Sequence, residues 1–407
     1  MWECNYMKEI PYFLSLNKAI DLSLLHKISR TIEQIPLNEA HLRILAEDLR
    51  SKVNDPPFDN SAMDGFAVRF EDTKNAPSTL EIVATSQAAA GDSSLSLDSG
   101  QAVRIMTGAP VPEGADAIIP IEACTIEGTS VTLNQISKPH FIRKCGENIA
   151  KEQIGLTKGT YLTPQAISMC ATMGYATLPV VKQLRIGIIS TGDELKPPGE
   201  ELAYGEIYES NSYGLAGLVN MLGHIPIRYP AVHDSMDALR DQFDQAANEC
   251  DLFLTSGGVS MGEWDFVRKL MEEEGEPVFW RVKIRPGSPP LFGHWNGTPM
   301  FGLPGNPVSS HVVFRMLVIP FLRGSLETSY PHDQIVHARL KTSVRSTKDC
   351  LTLRRVTLES TPGGFVADQP KHQGSGNIDS LSSADGLTLL QPGQSGEAGE
   401  LIEVLLL

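Results

Sequence analysis

Positive charge is in deficit. The 407 residues carry 34 Lys and Arg against 49 Asp and Glu, a formal net charge of -15. Such a surface repels polyanions, so neither nucleic acid nor an anionic membrane is an expected partner. Paired cysteines are missing too. The six (Cys4, Cys124, Cys145, Cys170, Cys250, Cys350) are scattered without a C-x-x-C, which argues against a disulfide framework or zinc site and for reduced cytosolic thiols. Long apolar runs are lacking: the longest, VVFRMLVIPFL, is broken by Arg315 and Pro320 and is too short for a bilayer. The N-terminus, MWECNYMKEIPYF, has no apolar core behind a basic start, so no signal peptide is expected and the location is read as cytoplasmic. Nor is there a G-x-x-x-x-G-K-[ST], G-x-G-x-x-G or H-E-x-x-H motif, which removes the ordinary nucleotide and zinc-protease readings.

What is present is an ordinary globular composition, 41% hydrophobic and 20% charged, long enough for about three domains. Helical spacing runs through SLNKAIDLSLLHKI and LNEAHLRILAEDLRSK, with Ser15 and Asn38 as expected caps. Short β runs follow from about 65 to 150, and helical spacing returns at TPQAISMCATMGYA. The reading is a helical linker domain (1–51 and 152–183) carrying an inserted β domain (52–151). From 184 to 328 strands and helices alternate: LRIGIIS, IPIRYPAV and DLFLTS are each followed by an amphipathic segment. That rhythm predicts an αβα domain around a parallel sheet. Residues 329–407 return to β runs and form a further β domain. The fold class is thus multidomain, α/β plus β.

In open parallel sheets ligands sit beyond the carboxyl ends of the strands. Here those ends carry acids: Asp193 and Glu194 after LRIGIIS, Asp234 after IPIRYPAV, Glu263 and Asp265 after DLFLTS. One acid after a strand is ordinarily a helix cap. Three successive acidic strand ends suit Mg²⁺, which takes one or two carboxylates plus phosphate and water. Yet TSGGVSMGEWD also places Ser256, Gly257, Gly258 and Ser260 in a turn whose bare N–H groups attract an anion. The two demands are reconciled if a cation bridges the acids to an anionic ligand. Arg281, Lys283 and Arg285 alternate along FWRVKIRPGSPP, and as one strand face they make a positive row about 13 Å long. A solvated strand face is the plain alternative; Arg forks suit oxyanions. LPGNP is a rigid turn through Pro304, Gly305 and Pro307. DNSAMDG and MTGAPVPEGAD place Asp64 and Thr107 in two stiff loops that look like the second wall of a site and need a facing surface, which implies a homodimer.

GVSMG also matches the G-x-S-x-G nucleophile elbow. A serine hydrolase using Ser260 is therefore an alternative, though it leaves the acids on the other strand ends unexplained.

FDNSAMDGFAV, RIMTGAPVPEGADAI, ISTGDEL, LTSGGVSMGEWDF and FGLPGNPVS occur in this order and spacing. Together they resemble the molybdopterin molybdenumtransferases, the MoeA family, which includes the C-terminal region of gephyrin. The resemblance covers essentially the whole chain. It implies an αβα molybdopterin-binding domain and a homodimer whose cleft lies between the αβα domain of one subunit and β domains of the other. The implied reaction takes adenylylated molybdopterin, supplied by a molybdopterin adenylyltransferase, and molybdate, and releases AMP in a Mg²⁺-dependent step. By the same resemblance Asp64, Thr107, Glu194, Asp234 and Asp265 are catalytic, with Asp193 beside them as a further metal ligand. Arg281 and Arg285 stand where the family commonly has lysine, and Arg355 and Ser375 approach from the partner subunit. The chain departs from the family at Asn148, often an acid, and at Ser288, often a lysine. A non-catalytic scaffold of the same fold, as gephyrin exemplifies, is the second alternative.

Overall fold

The computed structural model describes residues 10–88, 95–137, 141–260, 262, 265–370 and 372–407. Glu263 lies outside the described residues. The central sheet has seven strands: β1 (Tyr12–Leu14), β2 (Arg185–Ser190), β3 (Ile225–Arg228), β4 (Leu252–Ser256), β5 (Glu276–Val282), β6 (Leu291–Trp295) and β7 (Thr298–Leu303). Their order is β1-β5-β6-β7-β4-β2-β3. The stretch β3-β2-β4-β7 is parallel, as the strand–helix rhythm requires. At the other edge β6 runs antiparallel to both neighbours. Asn296 and Gly297, both at positive φ, close the two-residue hairpin that reverses the chain there.

The helices among the described residues are α1 (Leu16–Ser23), α2 (Pro164–Thr172), α3 (Asn211–Met221), α4 (Met236–Glu249), α5 (Phe266–Glu273), α6 (Pro307–Val313), α7 (Ile319–Leu326) and α8 (Ile378–Ser382). Each face of the sheet has its own core. Leu215 and Val219 of α3 and Val308 and Val312 of α6 pack on one side with Leu252 and Leu254. Leu239 and Phe243 of α4 and Val267, Leu270 and Met271 of α5 pack on the other with Phe253. These spacings of three and four residues are what make the helices amphipathic. Every residue of β4 is buried, as expected of a strand covered on both faces.

The second expected helix of the linker, LNEAHLRILAEDLRSK, does not form. Asn38 lies inside a short 3₁₀ turn, Leu37–Glu39, and caps nothing. Ile44 and Leu45 bridge to Tyr161 and Val180, and Leu49–Arg50 pairs with Ile154–Leu156. Ile44, Leu45 and Ala46 are consecutive and all buried, which a helix face cannot provide, so tertiary pairing overrides local propensity. Ser15 does cap α1, accepting from the Lys18 N–H, and Thr163 caps α2. β1 and α1 themselves join the αβα unit: β1 pairs with β5, and Ala19 of α1 is buried in its core.

Residues 60–133 hold a six-stranded sheet ordered Ala117–Pro120, Gly65–Val68, Gln101–Ile105, Ser78–Ser86, Ser130–Leu133, Cys124–Glu127. Residues 335–406 close a five-stranded barrel.

The cationic row is broken. Arg281 has a φ of +66°, which turns the chain at the end of β5, and Ile284–Arg285 leaves to pair with Leu351–Thr352. Lys283 is drawn off, its ammonium 5.5 Å from the Phe13 ring centroid.

Candidate active site

Register places the functional loops side by side. Ser190 is paired with Ser256, and Ser256 with Leu303, so the loops after β2, β4 and β7 leave the sheet together. Thr191 bridges to Val232, which adds the loop after β3. They surround a cavity of about 830 Å³.

The floor is the Gly-rich turn. Gly257 and Gly258 sit at φ +111° and +66°; a Cβ on Gly257 would lie 2.7 Å from Thr191 Oγ1, so only glycine fits there. The carbonyls of the turn face protein: Gly258 O accepts from the Arg268 N–H at 3.0 Å and Val259 O from Trp280 Nε1 at 2.9 Å. The N–H groups of Gly258, Val259, Gly305 and Asn306 meet no acceptor among the described residues. Two stiff turns therefore present unsatisfied donors at one cavity, where an anion satisfies them. Pro304 and Pro307 bracket the second turn, and both line the cavity.

Glu194, Asp234 and Asp265 line the same cavity. Burial pushes the Asp234 carboxyl above the usual range, and the charges of Asp193, Glu194 and Asp265 push it further. Asp193 is not a lining residue; its Oδ1 is 2.8 Å from His233 Nδ1, which holds its carboxyl below the usual range. Among the described residues no three His, Cys, Asp or Glu side chains converge as a metal cage. The mutual repulsion felt at Asp234 is nonetheless what a bound cation would relieve. Oxygen donors on one side of an open cavity fit Mg²⁺ held by one or two carboxylates and completed by substrate oxygens.

Arg281 and Arg285 both line the cavity. Arg281 Nη1 donates to the Tyr12 hydroxyl at 2.8 Å, which anchors its guanidinium. Arg285 also borders an adjoining hollow of about 320 Å³ with Arg354, Arg355 and Ser375. Ser375 lines both spaces, and its carbonyl accepts from the Val308 N–H at the start of α6. Ser375, expected to approach from the partner subunit, thus lines the cavity of its own chain, because the loop 372–377 docks directly on α6, whereas Arg355 borders only the adjoining hollow. Arg355 is 1% exposed: its Nε donates to Ser380 Oγ at 2.8 Å and Nη2 to Gly374 O at 3.0 Å. It braces that loop. Ser288 is buried in the cavity wall and donates to Val282 O at 3.2 Å, whereas Asn148 bonds Asp55 Oδ2 outside the cavity lining.

Asp64 and Thr107 bond each other but do not line the cavity. Ser260 does line it, four residues beyond the end of β4. A nucleophile elbow sets its serine in the sharp turn directly at the strand end, and among the described residues no histidine bonds Ser260. Thr191, Glu209, Asn211 and Asn306 also line the cavity and were not expected. Glu209 and Asn211 lie in YESNS, a polar cluster opening a helix, while Thr191 and Asn306 lie within ISTGDEL and LPGNP.

Fold and cavity define the class: a multidomain α/β protein with a strand-end site for an anionic ligand. Residues 14–174 match the MoeA N-terminal region (domain I and II), 187–324 a probable molybdopterin binding domain, and 337–407 the MoeA C-terminal region (domain IV). A molybdopterin molybdenumtransferase of Haemophilus influenzae is 39% identical over 306 residues, 72% of this chain and 75% of that protein. One from Bacillus subtilis is 34% identical over 92% of this chain and 90% of the relative. The crystal structure of the molybdopterin biosynthesis MoeA protein from Pyrococcus horikoshii superposes with a TM-score of 0.82 at 30% identity, covering 97% of this chain and all of that one. The chain belongs to the MoeA family.

Proposed function

We propose that the protein inserts molybdate into adenylylated molybdopterin, forming molybdenum cofactor with release of AMP. The observation that carries this reading is the pairing of backbone donors that meet no acceptor among the described residues, and of two arginines, with three carboxylates around one cavity. The amides of the Gly-rich and LPGNP turns suit the phosphate end of the pterin substrate. Arg281 and Arg285 suit the oxyanion, and Ser375 lies where it reaches the same group. Glu194, Asp234 and Asp265 would hold Mg²⁺ against the phosphates, the ion neutralising charge as the anhydride bond is broken. Asp193 supports them through His233 and the Asp234 N–H.

Asp64 and Thr107 act from the second wall. Because they do not line the cavity of their own chain, the reading requires a homodimer in which a partner supplies them. The four-part division at residues 52–151, 184–328 and 329–407, with the remainder as linker apart from the β1 and α1 segment that joins the αβα unit, is part of this proposal. A molybdopterin adenylyltransferase supplies the substrate, and the setting is cytoplasmic; among the described residues no helix is long and apolar enough to cross a membrane. The test is AMP release from adenylylated molybdopterin: it should require both molybdate and Mg²⁺, and release independent of both would refute the proposal.

A further inference from the structure

Asn211, the first residue of α3, ties two loops of the site together. Its Nδ2 donates to Ser256 Oγ at 2.7 Å and to Gly305 O at 2.7 Å. A carbonyl oxygen accepts only, so the amide nitrogen must face Gly305 and the side-chain orientation is fixed. Ser256 Oγ therefore accepts a hydrogen bond from Asn211, and its own O–H is free to donate elsewhere. Ser256 is 2% exposed, lines the cavity, and donates to no acceptor among the described residues. The arrangement leaves Asn211 Oδ1 buried without a partner among the described residues. Stability alone favours satisfying such an atom, so both donors of the amide are needed where they are.

Glu209 sets the amide in place. Its carboxylate accepts from Ser190 Oγ at 2.9 Å, the Ser212 N–H at 2.7 Å and the Ser212 hydroxyl at 2.6 Å. The end of β2 is thereby clamped to the first turn of α3, and Asn211 extends the clamp to the ends of β4 and β7.

We propose that Asn211 is a positioning residue: it turns the Ser256 hydroxyl into a hydrogen-bond donor for a phosphate oxygen of the ligand and locks the Gly-rich turn to the LPGNP turn. This rests on the reading of the cavity as the seat of a phosphate-bearing substrate. Asn211 does its work through Ser256 and Gly305 rather than on the ligand.

Calorimetric titration of AMP tests it, in the wild type, Asn211→Ala, Ser256→Ala and the double variant, with thermal unfolding measured on each. Both single changes should weaken AMP about tenfold or more, as expected for a lost hydrogen bond to a charged group. In the double variant the losses should not multiply, because both act on one hydroxyl. Should Asn211→Ala not fold, the near-isosteric Asn211→Asp serves: a carboxylate cannot donate to Gly305 O, and it should weaken AMP at least as much. Wild-type AMP affinity in the Asn211 variants, or losses that multiply in the double variant, overturns the proposal, as does a wild type that binds no AMP. If AMP binding follows the expected pattern yet no metal is transferred, the proposed reaction fails and the positioning role stands. If metal transfer proceeds and Asn211 variants bind AMP normally, the positioning role fails alone.

Discussion

Asp64 Oδ1 accepts both the backbone N–H of Thr107 at 2.7 Å and its hydroxyl at 2.8 Å, joining two loops 43 residues apart in sequence. Those two bonds, the backbone one foremost, hold the Asp64 carboxyl below the usual range, so it stays ionised into acid. The corner is exposed and has no place in the cavity of its own chain. The proposed two-fold dimer requires it to face the cavity of the partner, and that requirement can be tested by complementation. Asp64→Ala and Asp265→Ala should each be inactive alone. Mixed and re-equilibrated in equal amounts, they should recover about a quarter of wild-type turnover, since half the dimers regain one intact site. No recovery, with mixed dimers shown to form, would mean that both residues serve the same chain.

Asp234 offers a pH-dependent test. An acid whose pKa is raised by folding takes up protons more readily in the native state, so its ionised form costs stability at higher pH. In metal-free protein Asp234→Asn should raise Tm near neutrality. The gain should shrink as pH falls through the raised pKa towards the ordinary value of 3.8, where Asp234 is neutral anyway. Saturating Mg²⁺ should narrow the gap at neutral pH as well. A lower Tm for Asp234→Asn at pH 7 without metal would show that the carboxylates do not repel one another.

Ser260 should not be a nucleophile. With the strand ending at Ser256 and no histidine bonded to it among the described residues, its hydroxyl has no base to activate it. A fluorophosphonate probe should leave it unlabelled, and Ser260→Ala should retain AMP release within about tenfold. Stoichiometric labelling at Ser260 would restore the hydrolase reading.

Arg285→Ala should weaken the use of molybdate by about one to two decades, the loss of a charge-assisted hydrogen bond worth roughly 1.5 to 3 kcal/mol. Lys283→Ala should change it little, because Lys283 packs over Phe13 and does not line the cavity. Molybdate saturation curves for the two variants separate the cases. Equal effects would mean that the three cations act as one row after all.

Much of the fold was legible because its strongest patterns are local. LRIGIIS and DLFLTS are continuous apolar runs, as strands covered on both faces must be, and Leu239 and Phe243 repeat at helical spacing. What failed depended on distant partners. Ile44 and Leu45 extend because Tyr161 and Val180 are there to pair with, which nothing within 38–52 announces. Arg281 occupies a left-handed conformation that alternation cannot reveal, so three cations became two. The acids and the Gly-rich turn were found because strand ends converge by rule. The polar cluster YESNS marks Asn211 as a helix start, but its role depends on Gly305, 94 residues away, which that cluster does not reveal. Ser375 reaches the cavity of its own chain only because its loop docks on α6, a contact between residues 67 apart in sequence that no local pattern reveals.

Metal transfer is the direct test of the site. Purified protein incubated with adenylylated molybdopterin, molybdate and Mg²⁺ in a single turnover should yield AMP and metallated dithiolene in equal amounts, followed together in the same samples. Asp265→Ala should yield neither. AMP released without metallated cofactor, or cofactor formed at an undiminished rate by Asp265→Ala, would contradict a metal-transfer site at these strand ends.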